Sequence, residues 1–269
     1  MKDKVVIITG GSSGIGKACA EVFGREGAKV VITGRNEQTL IQEAVLLKQA
    51  GIEVLPIVAD VSIEKDNEKV VSETVSKYGK IDVLINNAGI SMHAMFEELD
   101  LNVIKKVMDI NFYGTVYATK YALPYLLKTK GSIVAVSSIA GKRGLPVRVG
   151  YSASKFAVEG FMEGLRTELM KTGVHVLVAC PGFTASNIRN TALSKNGASL
   201  GESFRDEGKM MSAEAVAMEI VKAVKKRKRT ILLTTQGKLV VFLNKWLPKL
   251  ADKIVYNTLA KEKDSPLAK

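Results

Sequence analysis

Apolar positions along the chain alternate between short unbroken runs and longer stretches at helical spacing. Residues 5–9, 30–33, 54–59, 83–86, 133–137, 174–179 and 231–234 are short and rich in Val and Ile, which predicts strands. Residues 17–26, 37–50, 65–78, 102–108, 112–129, 151–172 and 212–225 carry apolar residues every three or four positions, which predicts helices. Strands without polar alternation are covered on both faces, the mark of a parallel sheet. The repeated strand–helix–strand order predicts an α/β, doubly wound parallel sheet with helices on both faces, in a single domain. In such a sheet the ligand crevice lies beyond the carboxyl ends of the strands. The expected division is a catalytic domain over residues 1–236, including a variable loop at 183–211, and an amphipathic helical extension over 237–269.

The first strand runs into Thr9-Gly10-Gly11-Ser12-Ser13-Gly14-Ile15-Gly16. Glycine tolerates positive φ and lets the backbone approach a pyrophosphate closely. The helix that follows offers free N–H groups and the positive end of its dipole, and Ser12 and Ser13 add hydroxyl donors. On the first strand-to-helix turn this predicts a dinucleotide site rather than a merely structural turn. The second strand ends at Gly34 and Arg35, where an NAD-binding chain commonly has a carboxylate for the ribose 2′-hydroxyl. A missing carboxylate and a guanidinium suited to a 2′-phosphate predict NADP(H) in preference to NAD(H). Asp60 and Val61 close the third strand, and Asn86, Asn87, Ala88 and Gly89 follow the fourth. An Asp in that place is also a common cap, and Asn-Ala-Gly is also a common tight turn.

Tyr151 and Lys155 are four residues apart and share a helix face. An ammonium close to a phenol favours phenolate, which predicts a lowered tyrosine pKa and a group able to exchange a proton near neutral pH. Such pairs also arise by chance on solvated helices, so their setting matters. Ser137 and Ser138 end the fifth strand at the crevice, with Ser138 thirteen positions before Tyr151. Its hydroxyl can hold a substrate oxygen.

The Thr-Gly-x-x-x-Gly-x-Gly spacing over residues 9–16, Asn86-Asn87-Ala88-Gly89, Ser138 and Tyr151-Ser152-Ala153-Ser154-Lys155 together resemble the short-chain dehydrogenase/reductase family over about residues 3 to 235. The chain resembles most the branch holding hydroxysteroid dehydrogenases and 3-ketosphinganine reductases, although many of those have an amino-terminal membrane anchor that is not seen here. The resemblance implies a Rossmann-type fold, hydride exchange between a nicotinamide and a carbonyl or alcohol, and a homodimer or homotetramer. It implies that Asp60 and the Val61 N–H hold adenine, and that Asn87, Ala88 and Gly89 border the cofactor. Asn111 takes the place of a residue that holds a water beside the lysine, though an Asn there also reads as a helix kink or cap. The resemblance sets Pro181 and Gly182 by the nicotinamide. Thr184 comes early for the threonine that binds the carboxamide or phosphate, with Ser186 as the alternative. The loop at 183–211 stands where the family has a substrate lid. Its Phe183, Leu193, Leu200, Phe204, Met210 and Met211, with Met92, Met95 and Phe96, supply either an apolar substrate wall or core.

Composition narrows the alternatives. The chain has 269 residues, 46% hydrophobic and 25% charged, enough to bury a core without staples. Cys19 and Cys180 have no disulfide or metal-ligand spacing and are expected to be buried, which fits a reducing cytoplasm. His93 and His175 have no clustered ligands, so no metal site is expected. The start of the chain does not read as a secretory leader, and no apolar stretch is long enough to span a bilayer. The net charge of +12 is concentrated at residues 222–229 and in the tail. Without a zinc-finger or RNA-binding signature it does not argue for nucleic acid. In the tail, Leu239, Val240, Leu243, Trp246, Leu247, Leu250 and Ile254 recur at helical spacing between lysines, interrupted by Pro248. Three roles stay open for it: packing on the domain or a partner subunit, a peripheral membrane contact, and a substrate gate. The leading expectation is a reductase or alcohol dehydrogenase for an apolar or lipid-like small molecule. The alternatives are a 3-oxoacyl-carrier-protein reductase and a non-catalytic nucleotide-binding or membrane scaffold.

Overall fold

In the computed structural model the seven predicted strands form one parallel sheet, β1 (Val5–Ile8), β2 (Lys29–Gly34), β3 (Val54–Val58), β4 (Val83–Asn86), β5 (Ser132–Val136), β6 (His175–Cys180) and, at its edge, a strand over Thr230–Leu232. Residues 1–201, 208, 210–262 and 265–268 are described. The strand order is β3-β2-β1-β4-β5-β6 and then the edge strand. Register places Ile7 of β1 between Val31 of β2 and Leu84 of β4. Helices α1 (Gly14–Arg25), α2 (Glu37–Gln49), α3 (Glu64–Tyr78), α4 (Leu101–Met108), α5 (Gly114–Thr129) and α6 (Val149–Glu168) follow in chain order. A small parallel pair, β7 (Thr184–Ala185) and β8 (Met211–Ser212), brackets the variable loop. Helix α7 (Ala213–Lys225) precedes the edge strand, now β9, and two helices end the chain, α8 (Thr235–Trp246) and α9 (Pro248–Ala260).

Two apolar layers hold the sheet. On one face Phe23 of α1, Leu40 and Leu47 of α2 and Ile220 of α7 pack on Val6, Ile8 and Ile32. On the other, Val70 of α3, Leu126 of α5 and Met162 of α6 pack on Ile7, Leu84 and Ile133. Cys19 and Cys180 are both buried free thiols. His175 is buried and bridges Ser132 Oγ (3.1 Å) and the Lys228 carbonyl (2.8 Å), tying β6 to the turn before β9.

Several boundaries differ from the periodicity for physical reasons. Helix α1 starts at Gly14, three residues before the apolar pattern does, because its first turn is built from the glycine loop. The helix expected at 112–129 starts at Gly114, after a π-helical turn over Asp109–Tyr113 that joins it to α4 without a break. Helix α6 starts at Val149 and ends at Glu168. Pro248 occupies the first turn of α9, where a missing N–H costs nothing, so it restarts the helix.

Candidate active site

The sheet order reverses between β1 and β4, and the loops leaving these strands are tied together there. Thr9 Oγ1 accepts from the backbone N–H groups of Asn87 and Ala88, both at 3.0 Å. The Asn87 side-chain amide donates to the carbonyls of Thr9 (2.9 Å) and Gly10 (3.2 Å). Gly10 and Gly14 have φ of +66° and +53°, which side chains rarely tolerate. A methyl group on Gly16 would strike the Gly10 carbonyl and the Asn87 amide, so glycine lets α1 start this close to the turn.

A cavity of about 1130 Å³ opens along these strand ends. That exceeds the usual range for one drug-sized ligand, roughly 300–1,000 Å³, and leaves room for a dinucleotide beside a substrate. Gly10, Ser12, Ser13, Gly14, Ile15, Arg35, Asp60, Val61, Asn87, Ala88 and Gly89 line one part of it. Ser138, Tyr151, Lys155, Pro181, Gly182 and Thr184 line the rest. Gly16 and Asn111 stand behind this wall rather than in it. The positive-φ glycines, the helix start and the bare Gly34 at the end of β2 fit a bound dinucleotide.

Arg35 is largely solvated and lies 3.8 Å from Asp60 Oδ2. So exposed a pair is weak. Asp60 Oδ1 accepts from Ser62 N (2.9 Å) and Oγ (2.7 Å), so it caps the turn while its side chain also faces the cavity. Thr184 Oγ1 donates to the Gly182 carbonyl (3.2 Å) and Ser186 Oγ to the Thr184 carbonyl (3.5 Å), and both residues line the cavity.

At the end of β5, Ser138 adopts an extended conformation and its Oγ accepts from Ala140 N at 3.1 Å, starting the short turn Ile139–Gly141. One turn apart on α6, Tyr151 and Lys155 are both buried. The Ser138 hydroxyl is near enough to the Tyr151 phenol to draw its pKa down. Lys155 Nζ donates to the Val136 carbonyl at 2.9 Å and lies 5.8 Å from the centre of the Tyr151 ring. Asn111, on the π-helical turn, is 1% exposed and fully engaged. Its Oδ1 accepts from Ile90 N (2.8 Å), and its Nδ2 donates to the Ile90 carbonyl (3.0 Å) and Ser154 Oγ (2.8 Å). A Cβ on Gly89 would lie 3.1 Å from Asn111 Oδ1 and 3.5 Å from Lys155 Nζ, so these three residues converge.

The electrostatics correct one expectation. The Tyr151 phenol lies above its ordinary pKa, because burial outweighs the Ser138 hydroxyl and the Arg148 charge, which pull it down. Lys155 itself is lowered to about 8 by burial, against the opposing influence of Cys180 and Glu159. Desolvation therefore governs both groups, and the ammonium does not by itself produce an acidic phenol here.

A scan of protein families matches the short chain dehydrogenase model to residues 4–197. The chain belongs to the short-chain dehydrogenase family. This short-chain dehydrogenase is 35% identical to dehydrogenase/reductase SDR family member 7B of Mus musculus, over 98% of this chain and 84% of that protein. A Dictyostelium discoideum relative, dehydrogenase/reductase SDR family protein 7-like, is 32% identical over 95% of this chain and 81% of its own length. Among solved structures, a Burkholderia phymatum short-chain dehydrogenase/reductase in complex with NAD superposes with a TM-score of 0.83 at 25% identity, covering 93% of this chain and 95% of its own. An actinorhodin polyketide ketoreductase variant with NADPH gives a TM-score of 0.75 at 30% identity, covering 83% and 92%. The protein is accordingly an oxidoreductase of the type that acts on CH–OH groups with a nicotinamide cofactor.

Of the site of this short-chain dehydrogenase, the sequence missed one residue and left the role of one segment open. The residue is Glu159, one turn beyond Lys155 on α6. Its carboxylate accepts from Ser137 Oγ at 2.9 Å and Cys180 Sγ at 3.1 Å and pairs with Lys142 Nζ at 2.6 Å. Ser137 precedes Ser138, and Cys180 precedes Pro181, so one carboxylate ties the ends of β5 and β6 beneath the site. The spacing of residues 151, 155 and 159 was the available signal. The segment is the tail. Leu239, Val240 and Leu243 of α8 and Ile254, Val255 and Leu259 of α9 line the cavity. Arg143 pairs with Asp252, and Arg148 Nη2 donates to Glu262 Oε2 at 2.8 Å beside His93.

Of the residues expected in an apolar wall, Phe183 and Leu193 line the cavity. Met92 is fully buried and Leu193 nearly so, in one core cluster, and Met211 packs against the core on the α1 side. Phe96 is largely exposed. Phe204 lies outside the described residues.

Proposed function

We propose that this chain is an NADP(H)-dependent reductase or alcohol dehydrogenase that interconverts a ketone or aldehyde with an alcohol on an apolar, lipid-like small molecule. The observation that carries this reading is the meeting of Ser138, Tyr151 and Lys155 with the glycine cradle in one cavity. A bound nicotinamide supplies or accepts the hydride. In reduction, Tyr151 Oη gives its proton to the carbonyl oxygen, and in oxidation it takes the proton back. The Ser138 hydroxyl holds the same oxygen and stabilises charge developing on it. Lys155, anchored on Val136, keeps positive charge under the phenol while it is protonated. Asn111 positions the Ile90 loop and Ser154 beside them.

The NADP(H) preference rests on Gly34 and Arg35 at the end of β2. The similar solved structures carry NAD, a hydroxylated NADP and NADPH, so they support a nicotinamide without choosing between the forms. The apolar substrate rests on the tail helices, whose Leu239, Leu243 and Leu259 face the cavity. 3-Oxoacyl-carrier-protein reduction is the second reading, since the basic surface suits an acidic carrier, although the long tail is surplus to that role. A homodimer or homotetramer through α5, with the turn before it, and α6 is supported by the exposed Tyr113 on that turn and Phe156 on α6, and a cytoplasmic location by the two free cysteines.

The test is NADPH oxidation followed against ketosteroids, 3-keto lipids, short ketones and acyl-carrier substrates. Turnover is expected among the apolar ketones. Turnover confined to acyl-carrier substrates would select the second reading, and none with any carbonyl would remove the enzymatic one.

A further inference from the structure

The tail helices have two apolar faces, and the mechanism uses only one. The inner face roofs the cavity. On the outer face, Leu239, Phe242 and Trp246 of α8 form a stripe at helical spacing, continued by Leu247 and Leu250. Phe242 is 58% and Trp246 63% exposed, unusual for side chains of that size. Lysines 238, 245, 249 and 253 are interspersed with the stripe and also exposed. The one acidic residue of the two helices, Asp252, is paired with Arg143.

We propose that this outer face docks on an anionic lipid surface, with the mouth of the cavity at the membrane. An apolar stripe bordered by lysines suits the boundary of acyl chains and anionic headgroups, where lysine stems lie along apolar surface and their ammonium groups reach the phosphates. Tryptophan favours the same boundary. Among the described residues no helix is long and apolar enough to cross a membrane, so the contact is interfacial. A second copy of the chain is the poorer occupant. A two-fold contact sets the same patch against itself and would bring the lysines face to face. The basic run at residues 222–229 lies at the amino end of β9, the end of the sheet away from the cavity mouth, and takes no part. Leu239 and Ile254 belong both to the exposed surface and to the cavity lining, so the apolar surface continues inward. This gives an apolar substrate a path from the lipid to Tyr151, a consequence that rests on the proposed reaction; the docking itself does not.

Trp246 is the chain's one tryptophan and reports directly on the contact. The full-length protein is titrated with vesicles of phosphatidylcholine alone and of equal parts phosphatidylcholine and phosphatidylserine. Emission and co-sedimentation are measured together, without cofactor or substrate. The expected result is a blue shift and co-sedimentation on the anionic vesicles, weakened by raised salt. Lys245→Gln with Lys249→Gln should weaken binding by on the order of tenfold or more. The variant's cofactor affinity should stay unchanged, which shows that it is folded. Absent co-sedimentation, equal binding to both vesicle types, or emission that shifts only with protein concentration as a dimer forms would each overturn the proposal. Failure of NADPH oxidation with vesicle binding intact would instead count against the proposed reaction alone.

Discussion

Arg35 and Glu159 show how differently single residues enter this site. The role proposed for Arg35 comes from what is absent in the sequence, a carboxylate at the end of the second strand. The residue's exposed, loose pairing with Asp60 leaves it available to a phosphate. Arg35→Ala should weaken NADPH binding by roughly ten- to a hundredfold, the worth of a charge-assisted contact, and leave NADH nearly unchanged. Titration of both cofactors by fluorescence checks this, and equal affinity of the wild type for the two would remove the phosphate role. Glu159 had only its spacing from Tyr151 and Lys155 as a signal, because its partners Ser137, Cys180 and Lys142 lie on other segments and meet only in the fold. It is a positioning residue, and it acts on Lys155 by charge as well as by geometry. Burial places the Lys155 pKa at about 8, so its ammonium is lost above that pH, and kcat/KM for carbonyl reduction should fall there. Glu159→Gln keeps an acceptor for Ser137 but removes the negative charge. Loss of that charge disfavours the ammonium further, so the break should move to lower pH. A purely structural role would lower the rate without moving the break.

At the scale of elements, the strand pattern was nearly complete in the sequence. Runs such as Val5–Ile8 and His175–Cys180 are buried at every position and so leave no polar alternation to confuse the reading. Helix starts were harder. The first turn of α1 consists of Gly14, Ile15 and Gly16, and glycine reads locally as a breaker, although here it is required by contact. Gly16→Ala forces its methyl against the Gly10 carbonyl and the Asn87 amide, so the strand-end tie and the helix start must separate. The expected outcome is a lower melting temperature together with weaker cofactor binding, checked by thermal unfolding with and without NADPH. The π-helical turn at Asp109–Tyr113 had only Asn111, readable as a helix kink or cap, as a local sign. It exists in the context of the Asn111 contacts to the Ile90 loop and Ser154, which cross between segments.

For the whole molecule, the doubly wound sheet followed from the strand–helix alternation, and the position of the site followed from the sheet. The route of the tail did not. Its amphipathic spacing was visible, but two faces used for different purposes produce the same periodicity as one face packed on a core. Only the fold shows Leu243 and Leu259 turned to the cavity while Phe242 and Trp246 face outward. Because the proposed cofactor cradle spans the ends of β1, β2, β3 and β4, its ligand should stabilise the chain as a unit. NADPH at a hundred times its Kd is expected to add about 2.7 kcal/mol to the unfolding free energy. A rise in melting temperature with NADPH that exceeds the rise with NADH at equal concentration checks this.

The central claim is that the Tyr151 phenol, in one cavity with Ser138 at the end of the parallel sheet, exchanges the proton that accompanies hydride transfer. Single-turnover NADPH oxidation by wild type and Tyr151→Phe, each shown to bind NADPH equally, measures this most directly. The account predicts a fall in the chemical rate of roughly a hundred- to ten-thousandfold in the variant with cofactor affinity intact. An unchanged rate in Tyr151→Phe would contradict it.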